Sequence, residues 1–104
     1  MVKACDKVAR YIVGGKESFE KDELTQDAVI RNLEIIGEAS KQLSESTKAV
    51  ASQEPWRRIG GMRDKLIHQY FGVNLDLVWQ TASEVLPAFR GTLIQLLEHV
   101  ESQS

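Results

Sequence analysis

Between Glu23 and Leu43, apolar residues recur at three- and four-residue spacing with no proline, which commits this part of the chain to a long helix. They do not form one stripe. Val29, Leu33, Ile36 and Leu43 fall on one side, and Leu24, Ala28, Ile35 and Ala39 on another. Only an arc holding Asp27, Arg31, Glu34, Glu38 and Lys41 is polar. A helix apolar around so much of its girth is either central in a bundle or shared between the core and a partner chain. Gly37 in its middle costs about 1 kcal/mol against alanine, which close helix approach would offset.

The other segments have the same period. Residues 2–13 read as a helix with Val8 and Ile12 on one face, ended by Gly14-Gly15. Lys16–Asp22 reads as a polar connection, and Ser44–Glu54 as a loop with a helical turn at Lys48–Ala51. Pro55 suits the first position of a third long helix running to Phe71, with Gly72 as its stop and Asn74 as the next N-cap. Leu75, Val78, Trp79, Ala82 and Val85 continue in helical phase. Pro87 should force Leu86 out of helical geometry, giving a sharp kink or a break. Leu86, Phe89, Leu93, Leu96 and Val100 then run helically towards the C-terminus. Strand signals are absent. The expected fold is all-α, an antiparallel bundle of four to five helices formed by a single domain over residues 1–104.

At 104 residues the chain can bury roughly 65% of its unfolded surface. Cys5 is alone, so there is no disulfide framework and no cysteine metal site, and a reducing cytoplasm is the expected location. No apolar run approaches the length of a membrane span. The net charge of −2 argues against general polyanion binding, yet it is unevenly spread. Residues 55–74 hold Arg57, Arg58, Arg63 and Lys65 against Asp64 alone, a local +3 that leaves −5 elsewhere. Such a patch can hold a few phosphates, or it can be no more than a solvated face.

Within that patch stand Arg63, His68 and Tyr70, spaced Arg-x4-His-x-Tyr. On an ideal helix Arg63 lies within about 20° of the stripe formed by Trp56, Ile59, Met62, Leu66 and Tyr70, and His68 roughly 140° from Arg63. One straight helix therefore does not aim both at one spot, unless the arginine bends round or two copies of the helix meet. An arginine in an apolar stripe needs an anion or several acceptors. Metal-free RNA cleavage is the chemistry these groups suit. A neutral imidazole takes the ribose 2′-OH proton, an imidazolium protonates the leaving 5′-oxygen, and the guanidinium offsets charge growing on the phosphate. By itself the spacing is equally compatible with a surface histidine, an Arg63 paired with Asp64 or Glu34, and a packed Tyr70. Gly60-Gly61 in the same helix serves either close packing or an open backbone surface.

A larger set of residues carries a family resemblance. Gln26-Asp27-Ala28-Val29-Ile30-Arg31-Asn32-Leu33-Glu34-Ile35-Ile36-Gly37-Glu38-Ala39 is followed by Pro55-Trp56-Arg57. Then come Met62-Arg63-Asp64, His68-Gln69-Tyr70-Phe71-Gly72 and Leu77-Val78-Trp79. In order and spacing, this set resembles the HepT-like branch of the HEPN-domain proteins over nearly the whole chain. The resemblance implies a homodimeric endoribonuclease toxin, with Arg63 and His68 lining a cleft between protomers and RNA as substrate. It implies no cofactor and no metal. It further implies that Tyr70 receives AMP from a cognate nucleotidyltransferase antitoxin, which silences the toxin. Asp64 stands where the family often has asparagine, so it is a supporting residue that can orient Arg63 or compete for it. The alternative is a non-catalytic subunit that binds substrate or nucleotide for a nucleotidyltransferase.

Overall fold

The computed structural model describes residues 1–52, 54, 56, 57, 59–61 and 75–103, the last four by backbone alone. Among these residues every regular element is helical. They are α1 (Val2–Tyr11), α2 (Lys16–Lys21), α3 (Glu23–Lys41), α4 (Glu45–Val50), helical backbone within 56–61, α5 (Leu75–Gln80), a π turn (Thr81–Val85) and α6 (Leu86–Gln103). The chain is an all-α bundle, as the periodicity predicts. α1 lies against α3 and α6, α5 touches α2 and α3, and the π turn packs on α1. No helix among the described residues is long and apolar enough to cross a membrane.

Val8, Val29, Leu33, Ile36 and Val78 have no exposed surface and form the centre of the core. Of the two apolar sides of α3, the one with Val29, Leu33 and Ile36 is buried, while Leu24 is 82% exposed and Ile35 40%. Within the single chain, the second side is thus only partly covered, with Ala28 and Ala39 half-buried. The buried polar groups of α3 are satisfied locally: Asn32 Nδ2 donates to the Ala28 carbonyl at 2.8 Å, and Ser40 Oγ to that of Gly37 at 2.7 Å. Cys5 is buried in α1, and that burial pushes its thiol pKa up, keeping it protonated and unreactive.

Three local expectations are corrected. Lys16–Asp22 is not a plain connection but contains α2, whose Phe19 is only 2% exposed and meets Trp79 with ring centroids 5.5 Å apart. Gly15 makes the entry with φ of 91°, a left-handed value that suits glycine. Gln26 Nε2 then donates to the carbonyls of Phe19 (2.9 Å) and Glu20 (3.1 Å), satisfying acceptors at the end of α2. Asp22 starts α3 by accepting from the amides of Leu24 and Thr25 and from the Thr25 hydroxyl at 2.7 Å. The Thr25 hydroxyl contact, with those amides, holds its carboxyl below the usual carboxylate range.

The second correction is α4, which begins at Glu45 rather than at Lys48, because Ser44 Oγ accepts from the Thr47 amide at 3.2 Å and caps it. The third concerns Pro87. Leu86 keeps α-helical angles (φ −64°, ψ −40°), and α6 includes the proline without a break. Proline removes one amide donor and crowds the carbonyl four residues back. Here the preceding turn is widened instead, with the Leu86 amide donating to Thr81 O, five residues away. Thr81 and Ser83 hydroxyls donate to the carbonyls of Leu77 (2.8 Å) and Trp79 (2.7 Å). The wide turn also changes the phase: Leu86 is buried, whereas Val85, expected in the apolar stripe, is 41% exposed.

Candidate active site

Arg63, Asp64, His68 and Tyr70, the residues the motif selects, lie outside the described residues, as do Pro55, Arg58, Gly72 and Asn74. What is described is the ground from which that stretch starts and to which the chain returns. Trp56 anchors the start. Its Nε1 donates to Ala51 O at 3.0 Å and Lys48 O at 3.2 Å, which satisfies carbonyls at the end of α4. Its ring meets Phe89 of α6 edge-on, with centroids 5.6 Å apart and planes at 74°. Glu54 Oε2 accepts from Thr92 Oγ1 at 2.7 Å, a second tie to α6. Ile59 is 3% exposed and belongs to the core. Its burial and the half-burial of Trp56 agree with the apolar stripe expected for this helix.

The paired glycines divide the two roles between them. A Cβ on Gly60 would lie 3.2 Å from Lys41 Cγ and 3.7 Å from Ser40 Oγ, so Gly60 serves close approach to the end of α3. A Cβ on Gly61 would meet nothing within 4 Å among the described residues. Gly61→Ala should therefore stabilise the protein by about 0.5–1 kcal/mol through backbone entropy alone. In a domain of this size that is a rise of roughly 2–8 °C in a thermal melt. A lower melting temperature would mean that Gly61 is covered in solution.

Glu34, which the sequence offers as one partner for Arg63, has its Oε2 3.7 Å from Arg31 Nη1. Arg57 is exposed on the helical turn, as a member of the basic patch should be. Sequence reasoning missed that Lys41 and Lys48 share a groove with Arg57. They stand in separate elements, and no spacing rule links them.

These anchors belong to a helical bundle, and comparison with known proteins identifies the family. Residues 1–96 match the ribonuclease HepT-like family. The chain is 49% identical over 80 residues to a protein of Thermococcus cleftensis named "Probable ribonuclease HepT", covering 77% of this chain and 73% of that one. It is 44% identical over 82 residues to a protein of Caldanaerobacter subterraneus subsp. tengcongensis named as a candidate RNase, covering 79% and 73%. A candidate RNase of Methanocaldococcus jannaschii is 39% identical over 87 residues, covering 84% and 72%. No solved structure gives a significant match. The chain belongs to the HepT-like ribonuclease family.

Proposed function

We propose that this chain is the toxin of a toxin–antitoxin pair, a cytoplasmic, metal-independent endoribonuclease acting as a homodimer. The observation that carries the reading is the family match over residues 1–96, which spans the Arg63-x4-His68 motif. The names of the relatives, which describe ribonucleases at 39–49% identity, support the reaction class.

The reaction follows from the two side chains. His68 as neutral imidazole takes the proton of the ribose 2′-OH, and the 2′-oxygen forms a bond to phosphorus. The bond from phosphorus to the 5′-oxygen breaks, and an imidazolium returns a proton to that oxygen. Arg63 offers its planar fork of donors to the phosphate oxygens as charge grows on them. The products are a 2′,3′-cyclic phosphate and a free 5′-OH. Asp64 sits beside Arg63 in the sequence and supports or restrains it. Tyr70 is the acceptor for AMP from a cognate nucleotidyltransferase; an anionic nucleotide two residues from His68 would block the site and repel RNA.

The full chain incubated with RNA in excess chelator should yield 2′,3′-cyclic phosphate ends. After co-expression with the partner nucleotidyltransferase, the Tyr70 peptide should gain AMP and cutting should stop. RNA left intact, or 3′-OH ends, would overturn the reaction. A Tyr70 that never gains AMP would overturn the regulation.

A further inference from the structure

The charges of two grooves on the described surface differ. One, of about 460 Å³ on the outer side of α3, is lined by Glu34 and Glu38 against Arg31. The other, of about 700 Å³, lies between α4 and the 56–61 turn. Among the described residues, Lys41, Lys48 and Arg57 line it against the carboxylate of Glu45, a formal +2 for those four on a chain whose net charge is −2. Its volume is within the range of sites that take small ligands. A concave wall of one sign concentrates counter-ions more than the same charges on a flat face. Anions are therefore drawn to this groove and not to the other.

The walls limit what can be recognised there. Trp56 lines the groove, but its indole N–H is committed to Lys48 O and Ala51 O and its ring to Phe89, so it is a fixed wall. At Gly61 no described atom lies within 4 Å of a would-be Cβ, so a chain can approach the backbone there. The Lys48 ammonium is 3.8 Å from Glu45 Oε1, on a side chain that is mostly covered, which points the charge along the wall. Arg57 is exposed and stands six residues before Arg63 in the sequence. The described walls offer cations and backbone, which is the pattern of phosphate contact without sequence preference.

We propose that the groove between α4 and the 56–61 turn is a phosphodiester subsite, where Lys41, Lys48 and Arg57 hold the backbone of single-stranded RNA. The identity of the ligand rests on the ribonuclease reading; the location and charge of the groove do not.

The test uses the full chain and a short single-stranded 2′-O-methyl RNA, which cannot be cut by 2′-OH attack, with anisotropy measured across salt concentration. Arg57→Gln should lower the slope of log K against log salt by about 0.7, and affinity about fivefold at 0.1 M salt on that slope. Glu45→Gln, at a fully exposed side chain, should tighten binding, a gain that misfolding cannot mimic. Both effects should be the same for oligomers of different sequence. Unchanged affinity and slope in both variants would overturn the subsite. So would competition by inorganic phosphate or AMP at the oligomer's own concentration, which would make it a site for free phosphate. Cutting of unmodified RNA is scored separately. A protein that shows these shifts without cutting keeps the groove and loses the nuclease; one that cuts without them keeps the nuclease and loses the groove.

Discussion

A His68→Ala protein should cut RNA about 10²–10⁴-fold more slowly than the unaltered chain, the usual range for losing a positioned acid–base group. Both proton transfers of the proposed reaction pass through imidazole, so no partial mechanism survives its removal. The effect should fall on kcat, since the side chain acts on the reacting protons and not on binding of the RNA. Arg63→Lys is the companion variant. It keeps the charge and loses the planar fork, so it should also be impaired, in contrast to a role as a simple structural ion pair. Helical circular dichroism at its normal strength is the control for folding. A His68→Ala protein that cuts as well as the original would remove His68 from the mechanism, whatever the family match.

The largest effect on stability should come from Phe19→Ala. Phe19 is fully packed within a six-residue helix that could not persist alone. Its ring joins α2 to Trp79 of α5, and its carbonyl is one of those held by Gln26. Truncating a buried phenylalanine costs about 3–5 kcal/mol, a large share of what a domain this size has in reserve. A denaturant titration should show the midpoint falling accordingly, and the melting temperature should drop by more than 12 °C. A loss below about 1 kcal/mol would mean that α2 is peripheral to the cooperative unit.

Phe19 also shows where the sequence was hard to read. A single aromatic among Lys16, Glu17, Glu20 and Lys21 has no apolar neighbour at helical spacing, so periodicity sees only a polar link. Its burial depends on Trp79, sixty residues away, which no local rule contains. α4 failed for a milder reason: the Ser44 cap was present, but no apolar stripe followed it. The long helices were legible because α3 repeats its pattern over five turns. Even there, the sequence could see two apolar sides but not which of them the chain itself covers. The Arg63-x4-His68-x-Tyr70 spacing can be read in the sequence, but those residues lie outside the described ones. The groove could not be read there, because Lys41, Lys48 and Arg57 meet only through the tertiary fold.

The π turn Thr81–Val85 has a further consequence. A turn with one residue too many advances everything before it by about 100° around the axis, relative to an uninterrupted helix. Val78 and Trp79 face inward beside Leu86 and Phe89 only because that phase slip is present. Narrowing that turn to α-helix at unchanged length would swing Trp79 away from Phe19, whereas deleting one of Thr81–Val85 would give uniform α-helix with Val78 and Trp79 still facing inward. The proline is thus the ratchet that keeps the segment leading back from Arg63 and His68 aligned with the rest of the bundle.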